Sequence, residues 1–158
     1  VMFCLSKGLG APVGSMIVGK RDFIKQAVSV RKLLGGGMRQ VGVLAAAGHY
    51  ALQHHVRRLA EDHANLHTLA SGLRAVGENH PVLSGRITVH PWQTNILFTD
   101  VQADVAPAFT AWLAQHQIRV TSSLYGGQSR LRWVTHLDVN AADVQAALDC
   151  VARFTLPG

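Results

Sequence analysis

Residues 6–15 read Ser-Lys-Gly-Leu-Gly-Ala-Pro-Val-Gly-Ser and lie between two short apolar runs, residues 1–6 and 15–18. The runs are typical of buried strands, and the glycines between them allow a sharp turn with positive φ. A lysine that directly follows a buried strand, as Lys7 does, is expected to be shielded from water. Shielding favours the neutral amine, which can attack an aldehyde to form a Schiff base. On pattern alone, a surface lysine that begins a tight turn is the simpler interpretation.

Helical periodicity dominates the rest of the first half of the chain. Residues 21–34 predict a helix that is ended by the glycine triplet at residues 35–37. Residues 38–76 are also strongly helical, with room for an interruption near Gly48 or at residues 54–55. We expect this second segment to form a long helix that bridges two domains.

A coiled coil is an alternative for the second helical segment. Leucines recur there at every seventh position, at Leu52, Leu59, Leu66 and Leu73. The other position of such a seam is filled by Val56, His63 and Ala70, which weakens the alternative. The pattern therefore favours a helix that packs one face on its own protein.

The pattern changes after residue 76. Residues 77–85 predict a linker, and short strands follow it. We therefore assign residues 1–76 to the end of a large domain and residues 77–158 to a small α+β C-terminal domain. The small domain is predicted to contain strands at 94–98, 118–121 and 131–134, a helix at 105–116, and a last helix that opens with a capping box of Asn140 and Asp143.

Composition excludes several classes of protein. With 48% hydrophobic and 15% charged residues, the chain is expected to fold rather than to be disordered. No apolar run reaches the roughly 18 residues of a membrane span, and the basic residues behind the net charge of +6 are scattered, so we expect neither a membrane nor a nucleic-acid partner. His63 and His67 lack a completing carboxylate or cysteine, so no metal is expected.

The start of the chain and its cysteines give two further expectations. The chain begins at Val1, inside an apolar run and without an initiator Met, so we expect a segment of a longer protein. Two distant cysteines, Cys4 and Cys150, do not form a disulfide framework, which predicts a reducing cytoplasmic location.

Several segments together resemble one enzyme family. Residues 6–15 resemble the lysine segment of the low-specificity L-threonine aldolases, in the β-eliminating-lyase family of fold-type I pyridoxal-phosphate (PLP) enzymes. Gly-Gly-Gly-Met-Arg-Gln at 35–40, preceded by Arg-Lys at 31–32, resembles a turn of that family. Leu-Arg-Trp-Val-Thr-His-Leu-Asp at 131–138 resembles its C-terminal Arg-x-Val-Thr-His-Leu-Asp strand, and Gln-Thr-Asn at 93–95 is a weaker match. The resemblance covers essentially the whole chain.

The resemblance implies roles for individual residues. Lys7 holds the cofactor, with Ser6 and Gly8 as cofactor-binding neighbours. Arg132 binds the carboxylate of the amino-acid substrate, a role that suits the planar, bidentate guanidinium. We expect Arg130 to point to the opposite face of the strand as a surface charge, although it could substitute for Arg132.

Two basic residues near the glycine triplet are assigned more loosely. Arg39 is expected at the start of a helix, where free amides and the positive end of the dipole attract anions. By resemblance it helps to hold the phosphate, and Lys32 helps to bind the substrate, in the same or a neighbouring subunit. A solvated arginine after a helix C-cap is the alternative for Arg39.

The resemblance also implies an architecture and an activity. The chain is expected to be an α/β fragment: the end of a PLP-dependent transferase-like large domain, a long bridging helix and a small α+β domain. The implied activity is cleavage of L-threonine, L-allo-threonine or a related β-hydroxy-α-amino acid to glycine and an aldehyde, by a cytoplasmic homo-oligomer (a dimer of dimers). The family's other active-site groups precede residue 1, so this chain alone is expected to be inactive. The alternatives are another PLP-dependent lyase or a non-catalytic oligomerisation domain.

Overall fold

The computed structural model describes residues 1–156, and the chain divides into two compact units, Val1–Leu59 and Ala60–Gly158. This division precedes the domain boundary that we placed after residue 76. Leu66, Leu69 and Leu73, which the predicted boundary assigns to the first domain, are buried in the core of the second unit. The boundary after residue 76 stays a prediction about the domains of the longer protein.

The first unit contains two strands and two helices. Strand β1 (Met2–Cys4) pairs antiparallel with β2 (Ser15–Ile17), and helices α1 (Arg21–Leu33) and α2 (Gly42–His54) follow. This order agrees with the strands predicted on both sides of the glycine-rich loop and with the helix predicted after them.

A small apolar core fixes the loop between β1 and β2. Its members come from the loop and from α2, with two partly buried neighbours: Leu5, Leu9, Ala11 and Ala51 are buried, and Phe3 and Leu59 pack against them. The loop is therefore anchored to the unit by side chains on both sides of Lys7.

The expectation that β1 and β2 are buried strands is wrong for this chain. All three residues of β2 are exposed, β1 is at most half-buried, and no residue of α1 is buried. A two-stranded ribbon has too few neighbours to cover both of its faces. Large apolar side chains consequently face solvent, among them Met2, Ile17, Phe23 and Leu33.

The second helical segment is interrupted where the sequence allowed it. Helix α2 ends at His54, and α3 (Leu59–Asn79) begins after a turn at residues 55–58. Helix α3 runs for 21 residues, and its Leu66 and Leu73 are fully buried in the core of the second unit. These leucines serve packing within the chain, which disfavours the coiled-coil alternative.

The second unit is a four-stranded antiparallel sheet with three helices, which confirms the small α+β architecture. The strand order is β3-β4-β6-β5. The elements are α3, β3 (Ile87–Val89), β4 (Ile96–Val101), α4 (Ala106–Gln115), β5 (Thr121–Tyr125), β6 (Gln128–Val134) and α5 (Ala141–Ala152). The core lies between one face of the sheet and the helices, and its largest side chains include Phe109, Phe154, Leu97 and Leu131.

Several of these elements differ from prediction: β4 spans Ile96–Val101 rather than 94–98, and β6 spans Gln128–Val134 rather than 131–134. Helix α3 continues to Asn79, into the predicted linker, and β3 was not predicted. Strand β5 begins at Thr121, where the predicted strand ended. The capping box is confirmed, because the Asn140 side chain accepts from two amides of α5 and the Asp143 carboxylate accepts from the Asn140 amide.

Candidate functional site

The loop that carries Lys7 is closed by its own backbone. The Leu5 amide donates to the Gly14 carbonyl (2.9 Å), and the Ala11 amide donates to the Leu5 carbonyl (3.0 Å). The Gly10 amide donates to the Lys7 carbonyl (2.8 Å), so Lys7 is the first residue of a β-turn. Gly10 and Gly14 have positive φ, 71° and 111°, a conformation that glycine adopts without strain.

Helix α2 and the residue after it hold this loop from one side. Leu5 and Leu9 are each 8% exposed, and Ala51 of α2 is 1% exposed. A Cβ at Gly48 would lie 3.0 Å from Cδ1 of Leu5, so the missing side chain lets the helix approach the loop. Beyond the helix end, Nδ1 of His55 lies 2.6 Å from the Leu9 carbonyl oxygen.

The functional groups of the loop face outward. Lys7 and Ser6 are exposed, and Gly8 is half-buried. Residues 1–156 therefore do not supply the expected shielding of Lys7, because β1 itself is at most half-buried. The fixed loop presents a primary amine beside a hydroxyl.

Helix α1 ends in a tight turn built from the glycine triplet. The Gly36 amide donates to the Arg31 carbonyl (2.8 Å), the Gly35 amide donates to the Lys32 carbonyl (3.1 Å), and Gly35 has a φ of 80°. A Cβ at Gly37 would lie 3.1 Å from Cγ of Lys32, so the chain folds back along that side chain. The helix C-cap is Leu34, and Gly35 directly after it has the left-handed conformation that favours glycine at the end of a helix.

Arg39 lies outside a helix, which corrects the expectation that it opens one. It occupies a bend, and α2 begins only at Gly42. The N-cap of α2 is Val41, whose side chain makes no capping hydrogen bond. The sequence therefore contains no capping residue that marks the start of this helix. Arg39 and Lys32 are both exposed cations in the same unit as Lys7.

Arg132 stands on the open face of the second unit's sheet. Its neighbours along β6, Leu131 and Trp133, are 0% and 4% exposed and point into the core. Arg132 is exposed, with Phe98 of β4 and Thr121 of β5 as its cross-strand partners. In the sheet, Arg132 therefore lies between an exposed phenylalanine and a threonine.

Arg130 shares this open face with Arg132, which corrects the expectation of opposite faces. Side chains two residues apart on a strand point to the same side. Arg130 donates from Nε to Oδ1 of Asp100 (2.7 Å) and from its terminal nitrogen to Oδ2 (2.8 Å), and its guanidinium carbon lies 3.8 Å from the Tyr125 ring centroid. The ion pair engages the Arg130 guanidinium, whereas the Arg132 side chain on the same face is exposed.

Asp100 was missed by the sequence analysis. It pairs with Arg130 across β4 and β6, and the His90 ring nitrogen Nε2 lies 2.7 Å from its Oδ2. The hydrogen bonds from Arg130, with a smaller contribution from His90, lower the pKa of Asp100 to about 2, although burial acts to raise it. Asp100 lies two residues past the end of the strand predicted at 94–98, so no predicted element drew attention to it.

The structure brings five of the six predicted site residues into the first unit and places Arg132 in the second. Among residues 1–156, no group of three histidine, cysteine or carboxylate side chains is arranged to hold a metal ion. In the same part of the chain, no helix combines the length and apolarity of a membrane span.

The model of the beta-eliminating lyase family matches residues 1–104, more than half of the chain. The chain belongs to this family. The match includes the Lys7 loop and the glycine triplet, so the resemblance drawn from those motifs is confirmed.

Curated relatives include several threonine aldolases. The chain is 45% identical over 137 residues to the low specificity L-threonine aldolase of Escherichia coli O157:H7, covering 87% of this chain and 37% of the relative. It is 41% identical over 158 residues to low-specificity L-threonine aldolase 1 of Arabidopsis thaliana, covering 99% of this chain and 42% of the relative. The chain therefore spans about two fifths of the length of these relatives.

Two solved structures share the fold at low identity. A Sphingomonas wittichii serine palmitoyltransferase aligns with a TM-score of 0.73 at 18% identity, over 96% of this chain and 38% of that chain. The 8-amino-7-oxononanoate synthase of Francisella tularensis aligns with a TM-score of 0.69 at 16% identity, over 96% and 44%. These likenesses confirm the mixed α/β fold class.

Family membership implies PLP as the cofactor, as the resemblance predicted. The donors present fit that molecule. The exposed Lys7 amine can condense with an aldehyde, and the Ser6 hydroxyl can donate to a phosphate. The exposed cations Lys32 and Arg39 carry the charge that complements an anion.

Proposed function

We propose that the protein containing this chain cleaves L-threonine, L-allo-threonine or a related β-hydroxy-α-amino acid to glycine and an aldehyde. The observation that carries the proposal is the Lys7 loop, a turn closed by backbone hydrogen bonds, in which Lys7 is the one lysine between β1 and β2. The 41–45% identity to threonine aldolases along most of the chain supports the same substrate class.

Each proposed residue role follows from its chemistry. PLP, when bound, accepts the electrons that the breaking Cα–Cβ bond releases. Lys7 holds the cofactor covalently, and Ser6, Gly8 and Arg39 bind it. Arg132 grips the substrate carboxylate through two parallel hydrogen bonds, which fixes the orientation of the bond to be broken.

The state of the whole protein is part of the proposal. The chain is the C-terminal part of a longer enzyme, and the 158 residues alone are inactive because they leave Lys7 exposed to water. We propose a cytoplasmic homo-oligomer, a dimer of dimers, in which Lys32 contributes to substrate binding. Exposed apolar residues of the first unit, such as Leu33 and Val43 (85% and 83% exposed), support an assembly that covers them.

Lys7→Ala in the full-length protein tests the proposal. It removes the only amine of the loop, so the visible absorption of lysine-bound PLP and the release of aldehyde from L-threonine should both be lost. Lys25→Ala, at an exposed lysine of α1, is the matched control and should retain both. Absorption and activity that survive in Lys7→Ala would remove Lys7 from the reaction.

Arg132→Lys tests the role of the carboxylate ligand. Lysine keeps the charge but loses the bidentate fork, so kcat/KM for L-threonine should fall by about tenfold or more while PLP remains bound. Arg130→Lys is the control on the same face, and it should affect stability more than kcat/KM. The reverse ranking of kcat/KM would assign the carboxylate to Arg130.

Aldehyde release from L-threonine, L-allo-threonine and phenylserine separates the proposed activity from that of another PLP-dependent lyase. A protein that binds no PLP and releases no aldehyde from any of them would instead be a non-catalytic oligomerisation domain.

A further inference from the structure

His55 makes a long-range contact with the loop of Lys7. Its Nδ1 lies 2.6 Å from the carbonyl oxygen of Leu9, a residue 46 positions away in sequence. A carbonyl oxygen only accepts hydrogen bonds, so Nδ1 carries a proton and donates. His55 is half-buried and is the C-cap of α2.

This hydrogen bond and the turn of Lys7 share one peptide group. The Leu9 carbonyl and the Gly10 amide belong to the same planar unit. Its oxygen accepts from His55, and its N–H donates to the Lys7 carbonyl at 2.8 Å. The peptide group is therefore held at both ends, and it cannot rotate without breaking both bonds.

The surroundings hold both partners of the contact. The Leu9 side chain is 8% exposed in the small core, so the backbone that carries the carbonyl is anchored. On the other side, the ring of Tyr50 meets the His55 ring edge-on at 5.6 Å and at 87°. Gly10 has a φ of 71°. Because glycine adopts many backbone conformations, the hydrogen bonds of the Leu9–Gly10 peptide set its orientation.

We infer that His55 is a positioning residue for Lys7, because its Nδ1–H fixes the Leu9–Gly10 peptide and, through that peptide, the turn on which the Lys7 amine is presented. The inference rests on the proposed role of Lys7. His55 acts through the backbone of the loop, by its hydrogen bond to the Leu9 carbonyl.

The test compares three substitutions of His55 in the full-length holoenzyme. His55→Asn places an amide N–H near the position of Nδ1, His55→Gln moves it one bond further out, and His55→Ala removes it. Losing one hydrogen bond should weaken PLP binding roughly three- to tenfold in the Ala and Gln variants, with Asn close to wild type. His49→Ala, at an exposed histidine of α2, should behave as wild type.

Two readouts other than activity decide the question. Hydrogen exchange should show faster exchange at the Gly10 amide in His55→Ala and His55→Gln but not in His55→Asn. The fraction of PLP that shows lysine-bound absorption at limiting cofactor should fall in the same order. A general loss of fold would affect Asn and Gln alike, so rescue by Asn alone marks positioning.

The inference is wrong if all three His55 variants match His49→Ala in cofactor affinity and in Gly10 exchange, or if Asn fails to rescue either readout. If the proposed role of Lys7 is wrong, the absorption measurements give a different result. In that case Lys7→Ala keeps the lysine-bound absorption, whatever the His55 variants do.

Discussion

Asp100→Asn removes the charge that joins β4, β6 and the segment before β4 on the open face of the second sheet. In the wild-type protein the Asp100 carboxylate accepts two hydrogen bonds from Arg130 and contacts His90. The Asp100 side chain is 10% exposed, so solvent screens these interactions little.

The size of the effect follows from the pKa of Asp100. It is lowered from 3.8 to about 2, chiefly by the hydrogen bonds from Arg130. Since a tenfold change in proton affinity corresponds to about 1.4 kcal/mol, the ionised Asp100 contributes roughly 2 kcal/mol to the free energy of unfolding. Asp100→Asn should lower that free energy by about this amount at pH 7.

The same pKa fixes the sign of the pH dependence. Because the folded-state pKa of Asp100 lies below its unfolded value, the contribution is complete well above 3.8 and is lost as the pH falls toward 2. The difference between wild type and Asp100→Asn should therefore shrink to roughly half at pH 3.

Urea unfolding followed by tryptophan fluorescence measures this effect. The tryptophans, Trp92, Trp112 and Trp133, all lie in the second unit, so the signal reports on that unit. Asp104→Asn is the control, because Asp104 is 61% exposed in its pair with Arg86 and should change the free energy by less than about 1 kcal/mol. An Asp100→Asn variant as stable as wild type at pH 7, or equally destabilised at pH 3 and pH 7, would refute the reasoning.

Two further substitutions test the packing and the capping of the second unit. Asn140→Ala removes a side chain that accepts from the Ala142 and Asp143 amides (2.8 and 3.1 Å), and it should cost about 1 kcal/mol in urea unfolding; no change would show that the capping box does not stabilise α5. Leu73→Ala should lower the free energy of unfolding by about 2 to 5 kcal/mol, because Leu73 is fully buried in the core. Leu52→Ala should change the midpoint of thermal unfolding little, because Leu52 is 40% exposed. An equal loss of stability in the two leucine variants would instead favour the coiled-coil alternative.

The positions of most elements follow from local sequence. The apolar run at the start, the glycine-rich loop and the glycine triplet mark β1, the Lys7 turn and the end of α1, since each depends on residues next to one another. The capping box at Asn140 was predicted for the same reason. Elements with weak local signals were missed or misplaced: β3 was not predicted, and β5, which consists of exposed residues such as Ser122 and Ser123, begins where the predicted strand ends.

Burial and long-range contacts were harder to predict. The apolar pattern of β1 and β2 indicates strands but not what covers them; β2 is exposed, and β1 is at most half-buried. Asp100 and Arg130 meet only because β4 and β6 pair in one register, and His55 meets Leu9 only because α2 packs on the loop. The family motifs identified Lys7 and Arg132 but carry no information about these supporting contacts.

Borohydride reduction of the full-length holoenzyme, followed by peptide mass spectrometry, tests the role of Lys7 most directly. Reduction makes the bond between PLP and its lysine permanent, so the modified peptide identifies the residue. The pyridoxyl mass should be found on the peptide that contains Lys7 and on no other. Its appearance on Lys20, Lys25 or Lys32, with Lys7 unmodified, would contradict the assignment of the cofactor lysine.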